Sequence, residues 1–402
     1  MPATEYQGSF LSRISIRRNQ VVSMDGNHEQ ELEELEIFQK NISERFSDLI
    51  SDDSSSSSNS ASSSEPFLSI AWVRKLLDVF LCCEAEFKAV LIMGRDPSLI
   101  SKPPLDRLIP ELFDRAVKAL DICNAVMHGI DSVRQCQKLA EIAAASLEQR
   151  PLGEGQARRA KKALAGLLSA MGIDETSGGH KSAERSWSFG RRGGGGGGVS
   201  VTKDRGSGQS RASTWGVPKN WSAAKQIQVM SANLVAPRGA EASGLAMPVY
   251  IMSIVTVFVM WALIAAIPCQ ERTGLATHFQ VPRQLGWAQS MVWLHEKIGE
   301  ELKKKEKKGA SPVGLLEEIQ KMEKLGQSLL EFSDGFQYPV PEEKLDEAAA
   351  QVADLTETCR RMEDGLVPLQ HQIREVFHRI VRSRTEVLDV LDHAGKSSAP
   401  SV

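Results

Sequence analysis

Glu375 and His378 stand three residues apart in a stretch of helical periodicity, an ExxH pair of the kind that supplies two ligands in carboxylate-bridged di-iron bundles. Such a centre needs a second ExxH and two further glutamates, and the periodic stretches offer no matching set. His371 lies seven residues before His378 and shares its helical face, where a solvated or hydrogen-bonded imidazole is the simpler reading. Neighbouring Cys82 and Cys83 sit in an apolar helical pattern, without a GxSxG elbow or another nucleophile frame, and read as packing residues. Gly193–Gly198 satisfies any glycine fingerprint trivially, but no strand precedes it and no helix opens directly after it, so it is not read as a phosphate cradle. GxxxxGK and HExxH are absent. The aromatic-basic stretch Arg185–Arg192 (RSWSFGRR) could stack Trp187 and Phe189 on nucleic-acid bases with Arg185 on phosphate. In a chain of net charge −3 a peptide-like docking motif built on Arg185, Trp187 and Phe189 is the better reading. No catalytic residue, cofactor or metal is therefore assigned. A non-enzyme is expected, with neither nucleic acid nor a small-molecule substrate as partner.

Stepping outward to the elements, the chain is expected to be mainly α: a long-helix bundle with disordered Ser- and Gly-rich linkers and one strongly apolar helix. Its 402 residues are 42% hydrophobic, 25% charged and only 6% aromatic, which disfavours a β-sandwich or barrel. Cys82, Cys83, Cys123, Cys136, Cys269 and Cys359 follow no CxxC or disulfide-framework spacing and suit a reducing compartment.

Residues 1–26 form a basic-apolar arm (Phe10, Leu11, Ile14 and Ile16 among Arg13, Arg17 and Arg18). An N-terminal helical half follows over 27–172. Its first helix is expected to open on a capping box at Asn27 and Gln30, with Leu32, Leu35, Phe38, Ile42, Phe46 and Leu49 on one face. A Ser-rich linker over 51–65 separates it from helices over about 66–93, 111–149 and 155–171. The last is basic on one side (Arg158, Arg159, Lys161, Lys162) and apolar on the other (Leu164, Leu167, Leu168). Residues 173–219 read as a cationic Gly/Ser-rich linker, and over 181–225 nine bases face only Glu184 and Asp204. A short helix near 220–234 precedes the apolar segment. The C-terminal half, 283–392, carries helices over about 283–308, 312–333 and 341–392, the last with an expected kink at Pro368; 393–402 is a tail.

The segment Leu245–Ile267 holds 23 residues and no charge, with Leu245, Val249, Ile254, Phe258, Trp261, Ile264 and Ile267 among its large apolar side chains. As a helix it reaches roughly 34 Å against a hydrocarbon core of about 30 Å. It is read either as a transmembrane helix or as the wholly buried helix of a soluble bundle. Flanking bases (Lys225 and Arg238 before, Arg272 and Arg283 after) give no orientation. A spanning helix would leave the two helical halves on opposite sides with no common core. If the halves pack together, the segment is a core helix and membrane association is peripheral.

Five blocks spread along the chain carry a family likeness: GSFLSRISIRRNQV (8–21) with EQELEELEIFQ (29–39), DICNAV (121–126), RSWSFGR (185–191), WSAAKQIQVMSANLV (221–235) and MVWLHEKIGEELKKKEK (291–307). In their order they resemble the plant BYPASS-related family, and most closely its ROH branch. The resemblance implies a largely helical plant protein without enzymatic activity. It further implies binding to an exocyst subunit of the Exo-seventy type and modulation of polarised secretion. The long helices, charged tethers and one membrane-compatible segment suit a membrane-associated adaptor. The BYPASS branch implies the alternative, a regulator of a root-derived mobile growth signal. The family assigns no role to individual residues.

Overall fold

The computed structural model describes residues 24–54, 66–92, 99–172, 221–269, 272, 274–307 and 314–397. Nine α-helices and no strand occur among them: α1 Met24–Ser54, α2 Ile70–Ile92, α3 Leu105–Leu147, α4 Glu154–Ala170, α5 Ala223–Ser231, α6 Ala246–Ala266, α7 Gln289–Lys307, α8 Glu317–Asp334 and α9 Glu342–Ser397. Most expected boundaries hold to within a few residues. The capping box does not: α1 is already helical at Met24, so Asn27 has helical backbone and cannot serve as the cap. α1 also continues to Ser54, four residues into the expected linker. α9 runs on through Pro368, whose ring nitrogen has no hydrogen to donate. The basic-apolar arm up to residue 23 and the linkers over 55–65 and 173–220 lie outside the described residues.

Helix starts follow local chemistry where a hydroxyl is present. Ser69 Oγ accepts from Trp72 N–H at 3.1 Å at the head of α2, and Ser222 Oγ from Lys225 N–H at 3.3 Å at the head of α5. α1 presents Phe38, Ile42 and Phe46 inward at 1% exposure or less, as its three- and four-residue spacing requires.

α2 and α3 each pack against α6 and also against α9. Two helices of the N-terminal half thus lie between the apolar helix and the longest helix of the C-terminal half, and one continuous apolar core runs through all of them. α1, α5 and α7 complete the shell around α6, while α8 bridges α9 and α4. α9 is laced to α3 through Gln137 Nε2, which donates to Glu363 Oε2 at 2.9 Å, and to α2 through Gln372, which exchanges hydrogen bonds with Arg74 at 3.0 and 3.2 Å.

α6 is apolar all round, with mean hydropathy 2.4, and is enclosed on every side. Its serine and threonine are satisfied within the helix: Ser253 Oγ and Thr256 Oγ1 each donate to the carbonyl four residues back, at 2.8 Å. The helix C-terminus is the harder problem, because its last carbonyls emerge away from water. Arg272 Nη1 donates to the Ile264 and Ala265 carbonyls at 3.1 and 3.2 Å, and the backbone N–H groups of Leu315 and Leu316 donate to Ala265 and Ala266 at 2.9 and 3.0 Å. The incoming segment reaches these carbonyls because residue 314 is glycine. A Cβ there would stand 1.9 Å from the Ala266 carbonyl oxygen. Gly129 of α3 plays the same part on the other side, where a Cβ would stand 2.2 Å from the Pro268 oxygen.

Gly314→Ala is therefore expected to destabilise the protein by about 3 kcal/mol or more, since backbone rather than a flexible side chain blocks the added methyl. Gly299→Ala, in the interior of α7 with nothing within 4 Å of the new carbon, is expected to gain about 0.5–1 kcal/mol. Urea unfolding midpoints of the two variants check the pair. Equal midpoints would refute the close-approach account.

Candidate functional site

The large side chains of the apolar segment are core residues. Leu245 sits half-buried at the entry, while Val249, Ile254, Phe258, Trp261, Ile264 and Ile267 are at most 1% exposed. Phe258 meets Phe46 of α1 edge to face at 5.6 Å between centroids. Trp261 stacks at 4.4 Å on His295 of α7 and donates its indole N–H to the Leu275 carbonyl at 3.0 Å. His295 Nε2 in turn donates to the Phe279 carbonyl at 2.9 Å. Burial pushes the His295 pKa down despite that bond, which keeps the ring neutral and makes it a packing plate instead of a proton carrier. α6 is long and apolar enough to cross a membrane, and here every face of it is occupied by protein.

The residues read for chemistry do not converge. Glu375 pairs with Arg379 on its own helix at 3.9 Å, and His371 and His378 are exposed. No three His, Cys, Asp or Glu side chains among the described residues come together in a group able to hold a metal ion. Burial pushes the thiols of Cys82 and Cys83 up, strongly for Cys83, so both stay protonated and unreactive at neutral pH. A crevice beside the exit of α6, lined by Val133, Cys136, Met171 and Ile319, has room for about one water molecule. Arg185, Trp187 and Phe189 lie outside the described residues.

Sequence reasoning missed the buried ionisable groups. Glu318, in the first turn of α8, reads from sequence as an ordinary partner of its own helix dipole. It is instead 2% exposed, and both its oxygens lie 3.2 Å from Ile70 N at the head of α2, with Arg361 of α9 at 3.5 Å. The preceding residue extends the junction, since Glu317 N–H donates to the Leu68 carbonyl at 3.0 Å. Leu68 holds a left-handed φ of 61° that a buried leucine adopts only under tertiary constraint. Residues 314–318 therefore tie the C-terminus of α6 to the N-terminus of α2. A second buried carboxylate, Glu84 of α2, faces Arg379 of α9 at 3.5 Å, and burial pushes its pKa up against Ser383 and Arg379. Arg45 of α1 pairs with Glu86 of α2.

Burial raises the Glu318 pKa from 4.5 to about 7, outweighing the Ile70 N–H and Arg361. A carboxyl group whose folded pKa lies above its unfolded value stabilises the fold below that range and ceases to do so as pH rises through the folded pKa. Between pH 6 and pH 8 the protein is thus expected to lose about 1 kcal/mol of stability that Glu318→Gln does not lose. Denaturant midpoints at the two pH values, wild type against variant, give the answer. A wild-type midpoint that rises across this range, with Glu318→Gln unchanged, would refute it.

A family model described as "Protein ROH1-like" matches residues 1–391. Among curated proteins of Arabidopsis thaliana, Protein ROH1A is 58% identical over 423 residues, covering 100% of both chains. Protein ROH1D of the same plant is 44% identical over 412 residues, covering 97% of this chain and 98% of its own. No solved structure matches. With a family match along nearly its full length and relatives well above the identity that marks common descent, this chain belongs to the ROH1-like group of the plant BYPASS-related family.

Proposed function

We propose that this protein is a non-enzymatic helical adaptor that works at the membrane, binds an exocyst subunit of the Exo-seventy type and thereby modulates polarised secretion. The observation that carries the reading is the contrast between inside and outside. The core is closed around α6, and long helices present charged outer faces. α9, at 56 residues about 84 Å long, carries Glu357, Arg360 and Asp364 as an exposed ion-paired run, with Arg360 2.7 Å from each carboxylate. A rod of this kind suits lengthwise contact with another helical rod. The family resemblance is the ground for naming that partner, and the charged outer face of α9 supports a lengthwise contact. The enclosure of α6 favours peripheral attachment over insertion.

Two measurements test this. Purified protein immobilised at moderate salt is expected to retain the exocyst subunit from a plant extract, and failure to retain any exocyst subunit would count decisively against the partner. Alkaline carbonate is expected to release the protein from isolated membranes. Its retention in the pellet, with tags at the two ends protected differently from protease, would mean that α6 spans the bilayer and that the bundle described above is not the membrane form.

A further inference from the structure

α4 turns Ala157, Ala160, Leu164, Leu167 and Leu168 into its seams with α3 and α8, which fixes its opposite face toward solvent. That face presents Arg158, Arg159, Lys161 and Lys162, all exposed, and the only acid of the helix is Glu154 in its first turn. Lys161 reaches Asp334 at 2.9 Å. Arg158, Arg159 and Lys162 have no acidic partner among the described residues. Elsewhere among the described residues some exposed cations are matched (Lys40 with Glu44, Arg107 with Glu111, Arg283 with Glu296, Lys304 with Glu301) and others, Lys102, Lys138 and Lys324 among them, are not, so it is the clustering on one acid-free face that marks α4. In a chain of net charge −3, a rigid face with three unmatched cations is a local reversal of sign.

We propose that this α4 face docks on the anionic headgroups of a bilayer. The inference deepens the adaptor reading by naming the surface that would meet the membrane, and it rests on that reading. Two points select a lipid surface. α6 is sealed in the core, so contact with a bilayer falls to surface charge. The cations lie on one helix face whose next outward residues, Ala165 and Ser169, are small, so that face can lie along an extended surface of uniform negative potential.

The full chain is mixed with phosphatidylcholine vesicles, with and without about 30% phosphatidylserine, at roughly 0.1 M salt where screening acts over about 10 Å. Sedimentation is expected with the anionic vesicles only, and release at 1 M salt. The triple variant R158Q/R159Q/K162Q leaves the Lys161–Asp334 pair intact and alters exposed positions alone. Its partition is expected to fall tenfold or more, against a ceiling of about a hundredfold for three charges at about fivefold each. K303Q/K324Q/R382Q, an equal charge change at exposed positions on α7, α8 and α9, is expected to fall less than threefold. Equal loss in the two variants, no preference for the anionic vesicles, or tighter capture of a short DNA duplex than of vesicles overturns the proposal. A wild type that retains the exocyst subunit but ignores anionic vesicles overturns the α4 assignment alone. One that binds vesicles through α4 but retains no subunit supports α4 and removes the partner.

Discussion

An apolar helix buried end to end must still satisfy the carbonyls of its last turn, and at the C-terminus of α6 the protein itself supplies the donors. Three donors of quite different origin converge there: a guanidinium a few residues on, and two backbone N–H groups from a segment nearly fifty residues later. Their arrival determines the rest. Residue 314 has to be glycine for the chain to come close enough, and the next residues then run to the head of α2, where Glu318 receives the Ile70 N–H. Each unmade hydrogen bond in such a place costs about 1–3 kcal/mol, so this small junction weighs as much as a large apolar side chain.

That junction is also what interleaves the molecule. The apolar helix α6 and, from the C-terminal half, α9 hold α2 and α3 between them, so the N-terminal half has no complete core without them. The polar bridges across these seams are glutamines and buried carboxylates paired with arginines, Gln137 with Glu363, Glu84 with Arg379. Removing one partner of such a pair leaves a stranded charge or dipole, which is costlier than the pair is beneficial. Their value is in register: only one sliding position of α9 on α2 and α3 satisfies them together.

Much of this was legible in the sequence, and the limits have physical causes. Heptad-like spacing at Phe38, Ile42 and Phe46, and the two-faced composition of α4, dictate helices whose inner faces the structure confirms. The apolar segment was legible as a helix but not as to solvent, because hydrocarbon and a protein core reward the same side chains. Only its neighbours distinguish them, and they are remote: Gly129, Gly314 and Glu318 look like an ordinary helix glycine, a linker glycine and a dipole-facing acid. The weak capping box at Asn27 misled because the helix is already formed through Asp25 and Gly26, residues of low helix propensity whose composition does not announce it. Of the proposed docking surface, the cationic face of α4 was visible as composition. That its residues stay unmatched when acids are abundant elsewhere required the packing.

The balance between core and bilayer can be argued from magnitudes. Moving an apolar side chain from a protein interior into lipid is close to neutral, since acyl chains are about as apolar as leucine. Drawing α6 out of the bundle would, however, uncover the faces of α2 and α3 that it covers. Five side chains of valine-to-phenylalanine size returned to water cost on the order of 10 kcal/mol at roughly 1.5–3 kcal/mol each. The same step would strand the Leu315 and Leu316 N–H groups and break the Trp261 bond to Leu275. Insertion therefore has no gain to set against a large loss unless a partner covers those faces at the same moment. For a chain so constituted the closed bundle is favoured over insertion, and its charged groups stay on its surface.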